Sequence, residues 1–81
     1  MANDLSARIK DLLDQRIALE TKLQNEKGEL SDAASSRYDD SYAGLQRQLA
    51  ALFKETSDDA QRITIMLEMM RILENLSLIH I

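Results

Sequence analysis

These 81 residues predict an all-α protein. We expect a long N-terminal helix and two shorter helices folding back on it. They would form a helical hairpin or three-helix bundle, intertwined or packed into a dimer. Three observations carry this. Proline is absent, glycine occurs twice, and helix-favouring residues dominate. Apolar residues recur at steps of three and four along most of the chain. The last helical stretch is apolar on two opposite sides, more than two short neighbours can cover in a chain this small.

The first helix is expected from Asp4 to Lys27 or Leu30, capped by Asn3 or Asp4, with Gly28 as the weak point near its end. Its apolar seam runs Leu5, Ile9, Leu12, Leu19, Leu23, Leu30. Two cations interrupt that seam, Arg16 and Lys27. Eleven residues bring Lys27 back within about 20° of Arg16, about 16 Å along the axis. A cation aimed at a core needs a partner, because an unpaired buried charge is strongly destabilising. Glu20, four residues after Arg16, can supply one on the same helix. Asp59 or Glu74 could do so from across a bundle. The Arg16 stem could also lie on the leucines and lift its head to water. For Lys27 the alternative is that Glu26 takes its place on the seam if the helix keeps a coiled-coil heptad.

Ser31 to Asp40 reads as the linker, small and polar, with Ser36 or Asp39 available to cap the next helix. A second helix over Asp40 to Lys54 carries the seam Tyr42, Leu45, Leu49, Leu52. Thr56 to Asp59 reads as a stop and restart, with Thr56 and Asp59 spaced as in a capping box. The alternative is one continuous helix over 40–76. The third helix, Asp58 to about Leu76, has Ile63, Met66, Leu67, Met70 and Leu73 on one face. Ile65, Met69, Ile72 and Leu76 lie nearly opposite, and Thr64, Glu68, Arg71 and Asn75 form a polar strip. We take Ile65, Met69, Ile72 and Leu76 as the partner-binding face, with 1–76 as one helical domain. The apolar tail Leu76 to Ile81 resembles translated adapter sequence, and 77–81 is expected to be disordered or non-native, which leaves His80 without a role.

Composition narrows function further. The formal charge is −4 and the basic residues are scattered, which argues against nucleic acid as a partner. Cysteine is absent, so thiolate metal sites and disulfides are excluded. No apolar run is long enough for a membrane span, and no signal-peptide pattern opens the chain. We expect a cytoplasmic protein with no cofactor and no metal. The acid pairs Asp39-Asp40 and Asp58-Asp59 read as helix-opening residues.

The stretch LLDQRIALETKLQNEK resembles the first helix of the all-helical chorismate mutases. Leu12-Leu13, Arg16 and Lys27 match that family's leucine pair, arginine and lysine. Tyr38-Asp39 resembles the entry to its second helix, and Asp59-Ala60 with Ile63-Thr64 the entry to its third. The resemblance implies an intertwined dimer that rearranges chorismate to prephenate by confinement and electrostatic stabilisation. It implies that Arg16 binds a substrate carboxylate and Lys27 the ether oxygen. Other family positions are unmatched: Tyr42 and Ala43 stand where an Arg-Glu pair is expected, and Glu74 and Leu78 where a serine and a glutamine are.

The leading expectation is therefore a small non-catalytic assembly or adaptor module, acting through an apolar third-helix surface as a homodimer or with a helical protein partner. The alternative is a chorismate mutase-like enzyme, or a degenerate relative, with an anion pocket at Arg16 and Lys27. A secretion or phage-type chaperone would differ from the first mainly in its partner.

Overall fold

A computed structural model describes residues 4–80. Its three helices are α1 (Asp4–Gln24), α2 (Asp32–Glu55) and α3 (Asp59–Ile79). Each packs on the other two, in a rod 44 × 17 × 17 Å. Cross-helix bonds set the directions. Ser6 and Arg16 of α1 meet Gln61 and Glu68 of α3, so these two helices run parallel. Arg8 meets Glu55, and Tyr42 meets Asn75, so α2 runs against both.

α1 ends earlier than its leucine period implies. Leu30 continues the spacing, but Asn25 and Gly28 intervene, both weak helix formers. Gly28 takes φ 79°, a left-handed conformation that favours glycine, and the chain turns there. Leu30 still reaches the core, from the linker rather than from a helix. The expected cap at Asn3 lies outside the described residues, while Asp4 falls in the first turn of α1.

The linker is 25–31, and most of the segment expected as linker is helix. Ser31 is the cap, its Oγ accepting from the Ala34 amide at 3.1 Å. Asp32 then lies in the first turn, where a carboxylate suits the dipole, and Ala33 and Ala34 propagate the helix. Serines at a helix start read locally like a turn, because both satisfy backbone amides with a hydroxyl.

The break before α3 is present over 56–58. Asp58 is the cap, accepting from the Gln61 amide at 2.9 Å. Thr56 braces the corner: its hydroxyl accepts from the Asp58 amide at 3.2 Å and donates to Gln61 Oε1 at 2.6 Å. Gln61 in turn donates to Ser6 Oγ at 2.9 Å, tying the corner to α1. α3 does not stop at Leu76. It continues to Ile79, which packs against the core, so Ser77 to Ile79 of the expected disordered tail are helical. Ile81 lies outside the described residues.

All three helices face inward at alternating steps of four and three. α1 uses Leu5, Ile9, Leu12, Arg16, Leu19 and Leu23, and α2 uses Tyr38, Tyr42, Leu45, Leu49 and Leu52, with buried Thr56 continuing the spacing just past its end. α3 buries Ile65, Glu68, Ile72 and Asn75. This corrects the expected partner face. Ile65 and Ile72 are fully buried in the core, and Met69 and Leu76 pack against it. The uncovered face is the opposite one: Ile63, Met66, Leu67, Met70 and Leu73. The reason is polar. Glu68 and Asn75 find buried partners on α1 and α2, which draws their side of α3 inward together with Ile65 and Ile72.

Candidate functional site

Arg16 reaches the core because its place in the α1 seam points there. It is 6% exposed and flanked by Leu12 and Leu19 on the same face. Its guanidinium grips Glu68 with two bonds, Nε to Oε1 at 2.7 Å and Nη2 to Oε2 at 3.3 Å. Nη1 also donates to Glu20 on its own helix. Glu68, whose side chain is 1% exposed, accepts a further bond from Arg71 Nη1 at 2.5 Å. Two cations and two anions thus form a neutral cluster joining α1 to α3. Burial works against the charge on Arg16. Hydrogen bonding and attraction from Glu68, and then Glu20, outweigh it and raise the guanidinium above its ordinary value.

A second polar contact lies one heptad along α3. Asn75 Nδ2 donates to the Tyr42 hydroxyl at 3.1 Å, both groups buried. Burial raises the Tyr42 phenol, and the Asn75 bond only partly offsets it. Tyr38 stacks on Tyr42 with ring centroids 6.5 Å apart and donates to Glu26 at 3.0 Å. Burial, then Glu26, raises the Tyr38 phenol as well.

The two cations expected to share a pocket are kept apart. Lys27 lies exposed in the linker, beyond the end of α1. Arg16 engages all three of its nitrogens with carboxylates. A concavity of about 510 Å³ lies where the end of α1 and the linker face α3, and includes Glu20, Glu26 and Glu29 but neither Arg16 nor Lys27. Its acids have the wrong sign for a dicarboxylate. Among the described residues, no group of His, Cys, Asp or Glu is placed to hold a metal. No described helix is long and apolar enough to cross a membrane.

Glu68 escaped sequence reasoning because a glutamate between isoleucines reads as a solvated strip. A signal was nevertheless there. Glu68 and Asn75 are seven residues apart and sit at the same three-four spacing as Ile65 and Ile72. Arg16 and Tyr42 hold the matching seam positions on the other helices. Of the partners expected for Arg16, Glu20 is in place, while Asp59 and Glu74 are both exposed and distinct from the residue that meets it.

α3 therefore buries a glutamate and an asparagine among its inward apolar residues and leaves a second set of large apolar groups outside. Ile63, Met66, Leu67, Met70 and Leu73 are between 46% and 58% exposed. Ile17 of α1, 43% exposed, adds to the apolar surface. Leu13 lines the groove between α1 and α3 together with Lys10, Ala60 and Thr64. Comparison with protein-family models, with curated proteins and with solved structures finds no match.

Proposed function

We propose that this protein is a non-catalytic assembly module whose outward α3 face is covered by an apolar helical surface of another chain. One observation carries the reading: five large apolar side chains form a single stripe on α3 while a glutamate and an asparagine of the same helix are buried. Scattered exposed leucines are ordinary, but a contiguous apolar stripe of several hundred Å² marks an interaction site. Two methionines in the stripe suit a surface that adapts to its partner.

The mutase-like alternative would draw on Arg16 and Lys27. The carboxylates already on Arg16 and the place of Lys27 in the linker favour assembly over it.

The test is site-specific photocrosslinking in the cells that make the protein. A photoreactive residue at Met70 is expected to give a discrete protein adduct. The same probe at Lys54, exposed near the end of α2, is expected to give none. Equal or absent crosslinking from both positions would refute the reading.

A further inference from the structure

We infer that the chain covering the α3 stripe is a second copy of this one, packed antiparallel about a two-fold axis at the level of residue 68. The inference rests on the assembly reading above and adds the identity and geometry of the partner.

Spacing is the first argument. Ile63, Met66, Met70 and Leu73 lie symmetrically about position 68. In an antiparallel pair, Ile63 of one copy meets Leu73 of the other, and Met66 meets Met70. Every apolar group in the row then has an apolar group opposite, as a self-complementary two-fold interface requires. With steps of three, four and three, the row stays on one side of the helix through three turns.

Area is the second. One copy of the stripe is too small for a stable interface. Two copies, with the groove-lining Leu13 of each, remove on the order of 1,000 Å² from water, about the threshold for a specific one.

Charge is the third. Glu74 is exposed, on the edge of the stripe, with no ion pair or hydrogen bond among the described residues. It lies six residues past the midpoint. The two-fold carries it to the level of Arg62 on the second copy, between Ala60 and Thr64. Those two residues line the α1–α3 groove together with Lys10. The ion pair of Lys10 with Asp14, at 2.8 Å, is on the surface and leaves the ammonium accessible. The antiparallel arrangement therefore brings an unpaired carboxylate to an accessible ammonium twice per dimer.

Disulfide trapping tests this directly, because the chain has no cysteine of its own. Ile63→Cys and Leu73→Cys are made separately and oxidised alone or mixed. Antiparallel packing separates two copies of the same cysteine by ten residues, about 15 Å along the axis. Mixing brings Cys at one position against Cys at the other. The expected result is a covalent species of twice the 9.2 kDa chain mass from the mixture, and little from either variant alone. Sedimentation of the unmodified chain should give the same doubled mass. Glu74→Lys should weaken association by about 2- to 30-fold, the range of two exposed pairs, and Lys10→Glu in the same chain should restore it. A chain that sediments as a monomer at every concentration overturns the inference, as does crosslinking of each variant to itself but not to the other. If the Met70 adduct in cells has a mass other than twice that of the chain, the assembly reading stands and the self-pairing falls. If no adduct forms, the reading itself falls.

Discussion

Helices α2 and α3 turn inward at the same alternating spacing, yet they fill those positions differently. α2 places Tyr38, Tyr42, Leu45, Leu49 and Leu52 inside and leaves polar residues such as Arg47, Gln48 and Lys54 in water. α3 buries Glu68 and Asn75 among its isoleucines and leaves Met66, Leu67, Met70 and Leu73 outside. Burial of apolar area accounts for the orientation of α2 without further help. It cannot account for that of α3, whose exposed side is rich in large apolar groups as well. There the choice of inward face falls to hydrogen bonds and charge pairs, whose geometry is exacting and whose loss is costly.

Three variants sharpen this contrast. The largest effect is expected from Glu68→Ala, which leaves Arg16 buried with only Glu20. Breaking one side of a buried pair costs about 3–5 kcal/mol, read as a lowered midpoint in urea denaturation. A matched apolar replacement, Arg16→Met with Glu68→Leu, should reverse the sign. It removes both desolvated charges and is expected to be neutral or stabilising by about 1–4 kcal/mol in the same assay. A double variant as unstable as Glu68→Ala would show that the ions themselves hold α3 in place. The smallest effect should come from Tyr42→Phe, which strands the Asn75 amide in the core at about 1–3 kcal/mol.

The tyrosines add a pH dependence. Both phenols are raised in the folded chain, so folding retains protons that the unfolded chain would release. Stability therefore falls as pH climbs past the ordinary tyrosine value of about 10. Phenolate absorbance should appear with the loss of helix rather than before it. Tyr42→Phe should remove part of the dependence.

How much was legible in the sequence differs by helix for the same reason. The seams of α1 and α2 emerge from apolar spacing alone, because their opposite faces are polar: Arg8, Asp11 and Gln15 oppose the α1 seam. The burial of Arg16 was readable from its place among leucines. Its principal partner was not, since Glu68 is fifty-two residues away and only the packed bundle brings it near. Helix limits were the weakest part. Asn25 with Gly28 outweighed the leucine period at the end of α1, and a single serine cap moved the start of α2 eight residues earlier than Asp40. For α3, periodicity identified two candidate faces and could not rank them, because the ranking depended on what α1 and α2 offered in the core.

The neutrality of the Arg16, Glu20, Glu68 and Arg71 cluster has a consequence for ionic strength. Dissolved salt screens the exposed pairs Arg8–Glu55 and Lys10–Asp14, which stand in water. It reaches the Arg16–Glu68 bond poorly, since counterions would have to leave their hydration shells to enter. The seam between the parallel helices is therefore held by electrostatics that behave, toward the surrounding solution, almost as though they carried no charge.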